Sequence, residues 1–99
     1  MTIKFKNIVM KPMQEMPSGS VQGWIKLNNG LEVSIVKHQH SYGGGKGFYE
    51  MGVFQDGEML HIHKWHDQVK GWLTPEDVEK ELHYLEWTAL HDNNAQKLA

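Results

Sequence analysis

Residues 48–65 read "FYEMGVFQDGEMLHIHKW", and the dipeptide at their centre decides the architecture. Asp56-Gly57 tolerates two successive positive φ angles, as a two-residue hairpin turn requires when its twist must match that of the flanking strands. A turn fixed there makes Phe48–Gln55 and Glu58–Trp65 partner strands and sets their register. Val53 then faces Leu60 and Met51 faces Ile62 on one side. On the other, Phe54 faces Met59, Gly52 faces His61, Glu50 faces His63 and Phe48 faces Trp65. The first set is wholly aliphatic, so it is the expected core face.

The same period of two recurs upstream. Val21, Gly23, Ile25 and Leu27 alternate, "NNG" at 28–30 supplies residues that accept positive φ, and Leu31, Val33 and Ile35 resume the alternation. That pattern predicts a second hairpin over 21–37. Ile3–Met10 alternates Ile3 and Phe5 against Lys4 and Lys6, which predicts an N-terminal strand. Two prolines, a glycine and two serines mark 11–20 as a loop; this loop and the N-terminal strand are expected to be mobile.

Downstream, "GWLTPEDVEKELHYLEW" at 71–87 carries a helix start. Thr74 is an N-cap, Pro75 suits the first helical position, and Glu76 and Asp77 place negative charge at the positive end of the helix dipole. Val78, Leu82, Leu85 and Ala89 form one narrow apolar stripe, with Trp87 nearly opposite and Tyr84, Lys80 and His91 around it. Residues 92–99 have nothing to bury and are expected to fray. The predicted fold is α+β: an antiparallel sheet of four to five strands, two hairpins plus the N-terminal strand, packed by one C-terminal helix. A single domain over 1–91 accounts for all of it.

Composition narrows the function classes. Ninety-nine residues support one modest core. No apolar run approaches a membrane span, and the N-terminus lacks a signal-peptide core. With no cysteine there is no thiolate site or disulfide, so a cytoplasmic location is expected. The formal net charge is −2, and every one of the ten cations is lysine. Arginine's planar fork is the usual reader of phosphates and guanine edges, so its absence argues against duplex DNA as a partner.

Three constellations invite a chemical reading. "SYGGGKGFYE" at 41–50 resembles a phosphate loop at first sight, but Lys46 is followed by Gly47 rather than Ser or Thr, and a strand follows where a phosphate loop needs a helix. It reads better as a pliable strand connection able to close on a partner or a nucleotide-like small ligand, through Tyr42, Gly43, Gly44, Gly45 and Lys46. His38, His40, Glu50, His61 and His63 gather on the non-core face if the strands pair as written. Imidazoles with a carboxylate are the donors that zinc or another divalent transition metal takes, so this is a candidate metal site; otherwise no cofactor is implied. Ser34, Ser41, His66 and Asp67 have no spacing that singles out a hydrolytic set, and no catalytic residue is assigned.

The third constellation is aromatic. Phe48, Phe54, Met59 and Trp65 on one sheet face, with Tyr84 and Trp87 on the far side of the helix, exceed what one sheet–helix core hides. Exposed apolar surface of that kind marks a contact site, to which Phe48, Tyr49, Trp65, Tyr84 and Trp87 are assigned. The N-terminal strand and the 11–20 loop are the segments expected to be able to cover one of these patches.

"NGLEVSIVKHQHSYGGGKGFYEMGVFQDGEM" at 29–59 and "GWLTPEDVEKEL" at 71–82 resemble segments of a loose group of small uncharacterised tailed-bacteriophage proteins. The shared pattern is a strand after Asn-Gly, an S-Y-G-G…G-x-Y-E stretch and a G-W-x-T-P-E-D-V helix start, over residues 29 to 85. "HQH" and the third glycine lie outside it. The resemblance implies a phage-encoded accessory protein in the host cytoplasm that acts by binding a host or phage protein, as in host takeover or anti-defence; the aromatic surface adds pairing as a homodimer as an expectation of its own. Metal chemistry at the histidine face and capture of a small nucleotide-like signal remain as alternatives.

Overall fold

The computed structural model describes residues 3–65, 67–88 and 95–97, with 63, 88 and 95–97 described by their backbone alone. Both predicted hairpins form. β2 (Val21–Lys26) and β3 (Glu32–Lys37) pair antiparallel from Val21↔Lys37 to Lys26↔Glu32. Their five-residue connection, 27–31, closes with Leu27 N–H donating to the Leu31 carbonyl, and Gly30 takes the left-handed conformation at φ +89°. β4 (Tyr49–Gln55) and β5 (Glu58–Ile62) meet at the Asp56-Gly57 turn, where φ is +52° and +81°. Two consecutive positive φ values are what the right-handed strand twist demands of such a turn.

The hairpins join through β3 and β4, with Val33↔Val53 and Ile35↔Met51 in register. Among the described residues, three short strands complete an antiparallel sheet of seven: β1 (Lys11–Pro12) on β2, β6 (Lys70–Leu73) on β4, and β7 (Ala95–Lys97) on β5. The fold is thus the expected α+β sheet with one C-terminal helix, α1 (Pro75–Thr88). Its extra strands are too short to leave a periodic trace. Ala95–Lys97 belong to the tail expected to fray and instead pair with β5; the rest of that tail lies outside the described residues.

The core lies between one sheet face and α1. Val33, Ile35, Met51, Val53 and Ile62 from the sheet are fully buried with Val78, Leu82 and Leu85 from the helix. Those three helical positions are the predicted stripe; Ala89, its fourth member, lies outside the described residues. Thr74 and Asp77 cap the helix reciprocally: Asp77 N–H donates to Thr74 Oγ1 and Thr74 N–H to Asp77 Oδ2, both at 3.1 Å. This is a capping box with aspartate in the usual place of glutamate.

Two expectations are corrected at the sheet's ends. Ile3–Met10 is no strand: Phe5–Asn7 forms a 3₁₀ turn, and Phe5 N–H donates to Glu79 Oε2 on α1 at 2.7 Å. Ile8 is buried, and Met10 and Ile8 pack where Gly23 has no side chain. The segment therefore wraps the rim of the core and does not cover the opposite sheet face. Its alternation was satisfied by packing against a helix and a strand, with no ladder needed.

β5 also ends earlier than the alternation predicts. It stops at Ile62, and His63–Trp65 turns into a 3₁₀ helix that carries Trp65 into the core, 5% exposed. The edge of β4 that β5 abandons is taken by β6, through Tyr49↔Leu73 and Met51↔Lys70. A ladder edge left facing the interior would strand its N–H and C=O groups, which explains why so short a strand forms there.

Candidate interaction surface

The sheet face away from α1 carries the side chains alternate to the core set. Trp24 on β2 is 54% exposed and meets Phe54 on β4 with ring centroids 5.4 Å apart. Between them run Ser34, which accepts a hydrogen bond from Gln22 Nε2, and Gly52. Met59, Phe54 and Val69 surround the space where Gly52 lacks a side chain. Trp24 was legible as the outward partner of Gly23 and Ile25, yet its role as an anchor of this face was missed.

The glycine loop leads to the second half of the surface, and it is folded where a pliable connection was expected. Ser41 is buried and anchors it: its hydroxyl accepts from His38 N–H at 3.0 Å and donates to the His38 carbonyl at 2.9 Å. Gly44–Lys46 then forms a 3₁₀ turn between Gly43 and Gly47, both left-handed, and Phe48 N–H closes the loop on the Gly43 carbonyl. A methyl on Gly44 would overlap the His38 carbonyl oxygen and Ser41 Oγ. The loop packs against its own chain: Trp72 N–H donates to the Tyr42 carbonyl at 3.1 Å, and the Trp72 ring lies 3.0 Å from where a Gly43 side chain would begin.

Trp72 is the centre of this arrangement. β6 uses three residue steps where β4 uses two, a bulge, and Trp72 sits in it at φ +59°. A tryptophan in the left-handed region costs about 1–2 kcal/mol and persists only when its surroundings impose it. Its ring packs against Phe48 in a tilted pair, centroids 5.7 Å apart, and is still 56% exposed; Tyr42, 55% exposed, packs on Gly71 beside it. Beyond Trp72, a shallow depression of about 390 Å³ runs toward α1 past Lys70, Lys80, Asp77 and Glu81. The run "KGWL" before the helix cap was the available sign of this strand.

The other assigned contact residues divide. Phe48 and Tyr42 lie in the cluster with Gly43 and Gly44, whereas Gly45 and Lys46 are on its solvent side. Tyr49 points to the core side, half-buried, 4.9 Å from Phe5 with the Lys37 ammonium over its ring. Trp65 belongs to the core, its Nε1–H donating to Glu81 Oε1 at 2.6 Å; it is a structural residue, contrary to the sequence reading. Tyr84 is half-buried under the Lys64 ammonium at 3.8 Å, and Lys64 also pairs with Glu81. Trp87 is 47% exposed beside Tyr84, so these two form a separate patch on the helix.

The histidine face does not assemble as the register predicted. Glu50 lies across from Val36, and its Oε2 accepts from Tyr42 N–H at 2.9 Å, so the carboxylate holds the loop. Because β5 ends at Ile62, His63 has no ladder position opposite Glu50; the His63 side chain lies outside the described residues. His38 and His40 stay together, rings 6.2 Å apart, with His40 N–H donating to His38 Nδ1. His61 stands on β5, which neighbours β4 and β7, away from β3 and the pair that follows it. Among the described residues no three His, Asp or Glu side chains come together as a metal would need.

Asp77 stands at the head of α1. Hydrogen bonds from Thr74, its backbone first and its side chain second, hold that carboxyl below the ordinary carboxylate range. That marks a helix cap, with no catalytic role implied. Among the described residues no helix is long and apolar enough to cross a membrane. Comparison with protein-family models, curated proteins and solved structures returned no match.

Proposed function

We propose that this chain is a binding module that recognises another protein through the sheet face opposite α1, with Tyr42, Phe48 and Trp72 as its anchor. One observation carries the reading: a half-exposed tryptophan is held in a costly backbone conformation by a loop that closes against it. Buried apolar demand does not explain Trp72, since more than half of the side chain meets solvent. Rigid, pre-positioned aromatic side chains give large contact area at small entropic cost, and such residues dominate binding energy at protein interfaces. Trp24 and Phe54 extend the same face, with Lys11–Gln14 bordering a depression beside Trp24 and Gln22. In the setting that the phage resemblance implies, the partner is a host or phage protein.

The test is quantitative capture from host lysate with three immobilised forms: wild type, Trp72→Asn and Trp87→Ala. A partner on this surface is lost with Trp72→Asn and retained with Trp87→Ala, because the helix patch lies elsewhere. The purified partner should then bind wild type in titration calorimetry and fail to bind Trp72→Asn. Equal recovery with both variants, or loss with Trp87→Ala alone, sinks the assignment.

A further inference from the structure

The turn between β2 and β3 contains Asn29-Gly30, and the Asn29 side chain does more than shape that turn. Its Oδ1 accepts from Leu31 N–H at 3.1 Å, while Nδ2 donates to the Leu85 carbonyl at 2.9 Å and to the Glu86 carbonyl at 3.2 Å. Leu85 and Glu86 lie in the last described turn of α1. A single amide thus latches the C-terminal end of the helix to the hairpin, some 56 residues away in sequence.

Asparagine followed by glycine is also the pair whose backbone is least hindered for attack on its own side chain. Gly30 has nothing within 4 Å of the place a side chain would take. We propose that Asn29 is a covalent modification site, at which deamidation converts the latch into a repulsion and releases the last turn of α1. The Gly30 nitrogen, having lost its proton to hydroxide, bonds to Asn29 Cγ. The Cγ–Nδ2 bond breaks and ammonia leaves, giving a five-membered succinimide. Water then opens that ring at either carbonyl, so that amide plus water becomes carboxylate plus ammonium, as aspartate or isoaspartate. No redox partner enters.

The product carboxylate has no N–H to donate and sets negative charge against the Leu85 and Glu86 carbonyl oxygens. While the latch is closed, the reaction is restrained from both sides. Nδ2 is held by two carbonyls, and Gly30 N–H donates to the Leu27 carbonyl at 3.0 Å. Conversion therefore proceeds through a locally opened state and runs slower than in the unfolded chain. Trp87, exposed on that last turn, moves with it, so the modification alters the helix patch and leaves the Trp72 surface in place.

The full chain, aged in mildly alkaline buffer with and without denaturing urea, tests this by peptide mass mapping at residue 29 and hydrogen exchange over 85–88. The folded chain should gain the acid mass at Asn29 about 10- to 100-fold more slowly than in urea, the range a modest local opening gives. Exchange over 85–88 should rise in the modified molecules, and Asn29→Asp should show that faster exchange from the start. Equal rates folded and unfolded would mean that the bonds do not hold the amide. A folded chain still unmodified after a thousand urea half-times would remove the site. Unchanged exchange in Asn29→Asp would remove the latch; should that variant fail to fold, the aged wild type supplies the same comparison.

Discussion

Gly44 and Gly45 are neighbours in one loop, and the structure assigns opposite consequences to the same substitution at each. At Gly44 an added methyl meets the His38 carbonyl oxygen and Ser41 Oγ, neither of which is the free end of a flexible side chain. Accommodation requires the His38–Ser41 exchange to open. That exchange is three hydrogen bonds, Ser41 N–H to the His38 carbonyl and two through the Ser41 hydroxyl. At about 1 kcal/mol net for each bond, Gly44→Ala costs about 2–3 kcal/mol if the loop finds partial compensation in water. At Gly45 there is open space and no left-handed φ, so Gly45→Ala stabilises by about 0.4–1 kcal/mol through the unfolded state. The gap of roughly 3 kcal/mol corresponds to about 12–24 °C in Tm for a domain this small. Urea unfolding followed by tryptophan fluorescence, with the m-value checked for constancy, measures both. If the two variants fall within about 0.5 kcal/mol of each other, the loop is not closed on itself, and the support assigned to Trp72 fails with it.

Thr74→Ala should cost about 1 kcal/mol by removing the helix cap. Asp77 is held below its ordinary pKa of 3.8 first by the Thr74 backbone N–H, which alanine keeps, and then by the Thr74 side chain. The side-chain share of the carboxylate's stabilisation, present above the ordinary value and lost as pH falls through the lower folded one, is therefore what separates the two forms. The gap between wild type and variant, followed by urea titration at several pH values, should stay constant at neutral pH and narrow below about pH 4; a gap that widens on acidification contradicts the sign. Trp65→Phe keeps a smaller buried aromatic ring, leaves part of the indole space empty and deprives half-buried Glu81 of the indole N–H, and should cost at least about 1–3 kcal/mol by thermal melting. Loss of partner capture by that variant without loss of stability would return Trp65 to the interface. Trp72→Asn forfeits about 2 kcal/mol of apolar contact, less than half of a tryptophan's surface at the usual coefficient. It recovers about 1–2 kcal/mol by placing a residue tolerant of left-handed φ in the bulge. A net change near 1 kcal/mol or less is expected, and a larger loss would make Trp72 structural.

Much of the fold was legible because local chemistry and the two-residue period agreed. Asp56-Gly57 and Asn29-Gly30 fix their turns through backbone conformations that few other pairs adopt. The aliphatic sets that follow from those turns are the buried ones. Thr74-Pro75 fixes the helix start, and Val78, Leu82 and Leu85 lie on the stripe that 100° per residue predicts. The aromatic excess was legible, but its division was not: Phe48 and Trp87 keep exposed surface, while Trp65 is buried and Tyr49 packs against the core.

What the sequence could not decide is which partner each edge and each aromatic side chain finds. Trp65 and Trp72 both follow short polar-flanked runs and look alike in one dimension. Trp65 is inside because β5 ends at Ile62 and Glu81, 16 residues on, receives its N–H. Trp72 is outside because β6 fills the edge that β5 left and bulges there. Glu50 looked like a metal ligand until the loop placed the Tyr42 amide within its reach. The turns and the helix start are local properties, set by conformations a few residues choose among themselves. The surface rests on strand pairing between distant segments, where hydrogen bonds left open by one strand determine where another must lie.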